Sequence, residues 1–196
     1  MRIHSFFSLL VCVLISLSGN AQIYLSNASF EGAPQDATVP VGWFPCELGT
    51  TPDILPGFWG VRKESSEGET YVGLITREDG TWESIGQRLK RPLKRKECYE
   101  MSLDLAHANV YDSYVDVIKV RVWGSTRKCS KDQLLFESPF IDHEDWKKYE
   151  FQFTTKAFIN YIIIEAHYKE GSFSHRGNIL VDNISPIKDC IRASLE

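Results

Sequence analysis

After residue 60 the chain alternates between apolar and polar positions with the period of a β-strand. In Cys98–Ala106, Tyr99, Met101, Leu103 and Leu105 fall on one side, and Glu100, Ser102 and Asp104 on the other. That is the signature of a strand with one face buried. Asp116–Trp123 sets Ile118, Val120 and Val122 against Lys119, Arg121 and Trp123, and Lys148–Thr154 aligns Tyr149, Phe151 and Phe153. Further strands are predicted at Gly60–Glu64, Glu69–Thr76, Trp82–Lys90, Leu134–Ile141, Tyr161–Lys169 and Asn178–Ile184. Turn residues such as Ser65-Ser66-Glu67-Gly68 and Glu78-Asp79-Gly80 separate them. No stretch beyond the N-terminal segment sustains a 3.6-residue apolar stripe. The expected fold is all-β, a two-sheet antiparallel β-sandwich.

The alternation breaks over residues 33–58, which hold five of the eight prolines (Pro34, Pro40, Pro45, Pro52, Pro56) together with Trp43, Phe44 and Phe58. Proline lacks the N–H that a central strand must donate, so this stretch is read as a long loop. Its aromatics predict that it packs down as a lid over one end of the core.

Residues 1–21 read as a secretory signal. Arg2 supplies the positive start, Phe6–Leu17 the short apolar run, and Gly19-Asn20-Ala21 the small residues before a cut at Gln22. A lipoprotein signal using Cys12 is the weaker alternative, because bulky Val11 precedes that cysteine. No second apolar span follows, so no membrane span is expected in the mature chain. The remaining 175 residues suit one β-sandwich domain over 22–190 with a short tail at 191–196. Loss of Arg2 takes the formal net charge from −4 to −5, which disfavours nucleic acid as a partner of the whole surface. Lys90-Arg91-Pro92-Leu93-Lys94-Arg95-Lys96 is a local basic run. A solvated turn is its plainer reading, and contact with an anionic polymer its sharper one. Four cysteines remain after cleavage: Cys46, Cys98, Cys129 and Cys190. An even number in an exported chain predicts disulfides, with three possible pairings. Cys98 opens one strand and Cys129 follows another, so both are expected near one end of the sandwich. The expected bridges are Cys98–Cys129 and, by elimination, Cys46–Cys190.

Two bookends frame this pattern: Asn27-Ala28-Ser29-Phe30-Glu31-Gly32 near the start and Asn178-Ile179-Leu180-Val181-Asp182-Asn183-Ile184 near the end. With Gly68-Glu69-Thr70-Tyr71, Gly86-Gln87-Arg88-Leu89, Cys98-Tyr99 and Val120-Arg121-Val122-Trp123 between them, the chain resembles the galactose-binding-like jelly rolls. This is the fold of many carbohydrate-binding modules, found also in exported Bacteroidetes-type envelope proteins. The resemblance implies that the bookends are the first and last strands. It implies a structural calcium held by Glu31 and Asp182 with backbone carbonyls, to be weighed against pairing of those carboxylates with cations or backbone N–H groups. It also implies an exported binding module, periplasmic, cell-surface or secreted, for a glycan or glycoconjugate. The alternative is a protein–protein interaction module of the envelope.

The densest polar and aromatic group is Arg77, Asp79, Trp82, Glu83 and Gln87. Sugar recognition uses a flat ring against C–H faces and planar side chains toward hydroxyls, which Trp82, Arg77 and Glu83 supply. A turn with a salt bridge is the plainer reading. Tyr111 and Tyr114, beside His107 and Asn109, form a loop that is read as a second contribution to the ligand site, and Ser172–Arg176 a weaker one. Asn27-Ala28-Ser29 and Asn183-Ile184-Ser185 match the glycosylation triplet but lie within the bookends. No Gly-x-Ser-x-Gly elbow, glycine-rich phosphate loop or His-Glu-x-x-His helix is present, so the chain is not read as an enzyme.

Overall fold

The computed structural model describes residues 22–168 and 176–190. The expected signal at 1–21, the tail at 191–196 and most of the 172–176 loop lie outside the described residues. Twelve strands follow in order: β1 (Phe44–Pro45), β2 (Asp53–Leu55), β3 (Tyr71–Thr76), β4 (Ser84–Leu93), β5 (Cys98–Ala106), β6 (Asp116–Val117), β7 (Lys119–Ser125), β8 (Gln133–Glu137), β9 (Lys147–Thr154), β10 (Ile159–His167), β11 (Gly177–Asp182) and β12 (Lys188–Asp189). They form two sheets. The first runs β1-β4-β10-β7-β8. The second runs β12-β5-β11-β3-β2, with β9 also on β5 and β6 on β11. All pairings are antiparallel except β6 with β11.

The period-two faces meet between the sheets. Ile85, Leu89 and Leu93 of β4, Val120 and Val122 of β7, and Ile162, Ile164 and Ala166 of β10 pack toward Val72, Leu74, Met101, Leu103, Leu105, Ile179 and Val181 of the second sheet. At about 25 cal/mol per Å2 of apolar surface, this face-to-face burial is the main favourable term in the fold. The second sheet is buried on its outer side too. Leu55, Tyr71, Ile75, Ala106 and Leu180 are covered by Val61, Ala108 and Tyr111, with Phe58, Tyr114 and Trp146 around them. Asn178 clamps this cover. Its side chain accepts from Ala108 N–H (2.9 Å) and donates to the Ala108 and Tyr114 carbonyls (2.8 and 2.6 Å).

Three expectations change. Gly60–Glu64 is not a strand: Val61 lies in the outer cover, bonded within its own turn to Gly57 and Phe58. The proline-rich stretch is more than a lid, since it contributes β1 and β2, each to the edge of a different sheet, where proline is tolerated. The opening bookend is a turn, not a strand. Asn27 takes a φ of +49°, accepts from Glu31 N–H (2.7 Å) and donates to the Glu31 and Val41 carbonyls. The bookends do meet: Ile184 N–H donates to the Ala28 carbonyl (3.1 Å), and Ile23 bridges Ile187.

The cysteine pairing is corrected. Cys46 bonds Cys129 and Cys98 bonds Cys190, with Cα separations of 5.1 and 5.4 Å. β12 returns along the start of β5, with Asp189 opposite Tyr99, so Cys190 arrives beside Cys98. Cys129, in the β7–β8 loop, instead faces the segment that leaves β1.

Candidate functional site

The candidate ligand residues fall into two environments. Arg77, Asp79, Trp82 and Glu83 surround the β3–β4 turn. Glu83 is fully buried and accepts from Arg77 (2.5 Å), from Thr51 N–H (3.0 Å) and hydroxyl (3.2 Å), and from Ile75 N–H (3.2 Å). Burial pushes its carboxyl up, and the Arg77 guanidinium opposes that. The Arg77–Glu83 pair therefore fastens residue 51 to β3 and is not presented to solvent. The alternation had placed Glu83 on the side of Ile85, and that is where it points. Asp79 accepts from Thr81 N–H and hydroxyl (2.9 and 2.7 Å), which hold its carboxyl below the usual range and shape the turn.

Tyr111 is buried in the outer cover of the second sheet and donates to Asp53 (2.5 Å). Burial pushes its hydroxyl well above the usual phenol range, and a solvent ligand does not reach it. Gly73 is required beneath it, because a Cβ there would meet the Tyr111 hydroxyl. Tyr114 edges the same cover, with the Arg176 guanidinium 4.4 Å over its ring. Neither tyrosine shares a surface with Trp82.

Trp82 stands on the outer face of the first sheet and is 37 % exposed. Its indole N–H donates to Glu165 (3.3 Å), and the other oxygen of Glu165 accepts from the Trp123 indole (3.2 Å). Glu165, on β10, and Trp123, on β7, point outward because Ile164 and Val122 point into the core. Lys131 pairs with both Glu165 and Glu47 and lies over the Trp82 ring. Along the same face, Glu137 of β8 pairs with Lys119 (2.9 Å) and Arg121 (2.6 Å), which hold its carboxyl low. The Cys46–Cys129 bridge crosses this face: Phe44 and Cys46 lie directly over Gly86, where a Cβ would collide with them. Trp123 was visible in the alternation as an outward residue. Glu165 was not, since it interrupts an otherwise apolar run, and Lys131 sits in a loop with no periodicity.

Glu31 and Asp182 flank the 65–70 turn. Ser66 and Glu67 N–H donate to Asp182 (2.8 and 3.0 Å), and Glu69 N–H to Glu31 (3.1 Å). Gly68, at φ +67°, lets the turn pass against the Glu31 carboxylate. Burial, with the nearby Glu31 charge, pushes Asp182 up to about 6. Calcium takes six to eight oxygen ligands. Here amide hydrogens point at both carboxylates, and among the described residues no three Asp, Glu, His or Cys gather around a common point. As these side chains stand they do not fit calcium.

No family model matches the chain, and no curated protein sequence matches it. Solved structures do. The chain is 14 % identical to the CBM22-1 xylan-binding domain of Paenibacillus barcinonensis Xyn10C, covering 89 % of this chain and 97 % of that one at a TM-score of 0.53. It is 14 % identical to the K3 cleaved adhesin domain of Lys-gingipain from Porphyromonas gingivalis, at 85 %, 98 % and 0.54. It is also similar to an arabinose-bound GH51 α-L-arabinofuranosidase (12 % identity, TM-score 0.57), where 87 % of this chain covers only 27 % of that enzyme. The fold is thus the jelly-roll β-sandwich of carbohydrate-binding modules and adhesin domains.

Proposed function

We propose that the protein is an exported, non-catalytic binding module that takes a carbohydrate or glycoconjugate on the outer face of its first sheet, against Trp82 and Trp123. The observation that carries this reading is the pair of indoles bonded to one buried carboxylate, Glu165, with Trp82 still exposed beside an open recess of about 170 Å3 lined by Glu47, Leu48, Gly80 and Thr81. Rings fixed before the ligand arrives cost little to order on binding, and tryptophan offers a broad apolar face to sugar C–H groups. Arg121 and Glu137 extend the strip with planar groups that bond hydroxyls. Glu165 and Glu83 are each committed to a cation and to other donors, which suits positioning better than proton transfer. Two disulfides accord with an oxidising compartment outside the cytoplasm, and the likeness in fold to a xylan-binding domain supports the ligand class. An envelope protein partner is the second reading. Trp59 and Val110, 46 % and 58 % exposed on neighbouring loops of the second sheet, favour it.

A glycan array probed with residues 22–196, followed by titration calorimetry on the best glycan, tests the reading. Trp82→Ala and Trp123→Ala are each expected to lose at least tenfold in affinity while melting cooperatively. Unchanged affinity in both folded variants would overturn it. Loss of a protein partner on Trp59→Ala, with no glycan bound, would favour the second reading.

A further inference from the structure

The end of β4 and the β4–β5 turn carry a run of cations that no described carboxylate pairs. Arg88, Lys90, Arg91, Lys94, Arg95 and Lys96 stand within nine residues, and all six are exposed. The other 16 Lys and Arg of the chain face 26 Asp and Glu, so this cationic end belongs to an otherwise acidic molecule. Several cations elsewhere are paired: Arg77 with Glu83, Lys119 and Arg121 with Glu137, Lys131 with Glu47 and Glu165. None of the six shares an ion pair with a described carboxylate. Arg91 and Arg95 donate only to main-chain carbonyls, of Gln22 (3.5 Å) and Lys156 (3.1 Å). Glu97 and Asp189 lie at the base of the turn, near the Tyr99 hydroxyl.

The turn is held in place. Lys94 N–H donates to the Tyr99 hydroxyl (2.9 Å), Lys96 N–H to the Thr155 carbonyl (2.9 Å), and Thr155 N–H to the Glu97 carbonyl (3.1 Å). The Thr155 hydroxyl bonds the Lys94 carbonyl, and Cys98–Cys190 closes the base. Lys96 has a φ of +63°. Glycine or asparagine would relieve that conformation, yet the position presents a lysine. Phe158, 57 % exposed, sits on the 155–158 turn that these hydrogen bonds join to the cations.

We infer that this end is a second binding surface, at the opposite end of β4 from Trp82, for an acidic polysaccharide bearing carboxylate or sulfate groups. Six exposed cations along the end of β4 and its turn match a chain of spaced anions, and the main chain that carries them is already ordered before binding. Phe158 gives a ring for the C–H face of a sugar, whereas one phenylalanine buries too little apolar area for a stable membrane anchor. Duplex DNA carries one charge per about 1.7 Å and would meet repulsion from the acidic remainder of the surface. A uronate polymer, with one charge per sugar, meets less.

The test is binding of residues 22–196 to polygalacturonate, with dextran, duplex DNA and phosphatidylglycerol vesicles as comparisons. Polygalacturonate is expected to bind at low salt and to be released as sodium chloride rises, the mark of charge pairing. The variant Lys94→Ser, Arg95→Ser, Lys96→Gly should lose at least tenfold in affinity with no drop in melting temperature. Absence of binding at low salt, equal binding by the triple variant, or DNA or vesicles bound as tightly as polygalacturonate would each overturn it. The proposed tryptophan site stands or falls separately, on neutral glycans and Trp82→Ala.

Discussion

Glu83 is fully buried, and Arg77, Thr51 and the Ile75 amide meet its carboxylate. Removing one partner of such a pair leaves the other poorly compensated, so Glu83→Ala should cost about 3–5 kcal/mol in denaturant unfolding. Glu83 can look like a ligand residue in sequence because an acid beside tryptophan in a turn also suits a sugar site; its being in phase with the inward Ile85 is the clue that it is structural. Asp182 behaves differently. Its folded carboxyl is raised to about 6 from an ordinary value of 3.8, so the folded state holds the proton more tightly than the unfolded chain. The resulting stabilisation is full below pH 4 and is lost as pH rises through about 6. Asp182→Asn should flatten that part of the stability-against-pH curve relative to the parent. Excess chelator should leave the parent's melting temperature unchanged, because amide hydrogens already meet both carboxylates. A fall would show that calcium displaces them.

At the scale of elements, the long strands were legible because one buried face writes a period of two into the sequence, as in β5, β7 and β9. β1, β2 and β12 span two or three residues each, too few to show any period. Cysteine pairing was not legible either, since it depends on which strands become neighbours: β12 beside β5, and the β7–β8 loop over β1. The two bridges close loops of similar length, so replacing either pair with serine should cost a comparable amount, about 4–5 kcal/mol in the chain-entropy estimate. Their local effects should differ. Loss of Cys46–Cys129 releases the segment that carries Glu47 and the loop that carries Lys131, both tied to the tryptophan face. It should therefore change Trp82 fluorescence in the folded protein, while loss of Cys98–Cys190 should not.

At the scale of the whole molecule, the sandwich could be read from alternation, turn residues and the bookends, because these are repeated, local consequences of a two-layer core. The candidate site could be read only in part. Trp82 and Trp123 lie 41 positions apart in sequence, and what unites them is Glu165 on β10, the strand between β4, which starts just after Trp82, and β7, which carries Trp123. The disulfides also interleave, 46 with 129 and 98 with 190, while Ile23 and Ile187 lie side by side. Under tension applied at residues 23 and 187, the shortest covalent path runs from 23 to 46, crosses to 129, turns back to 98, crosses to 190 and ends at 187. At the reach of an extended chain, that path pays out roughly 190 Å, against roughly 560 Å once both bridges are reduced. A single molecule stretched with and without reductant should show these two contour lengths: the cross-links act as a shackle that limits extension even after the sheets give way.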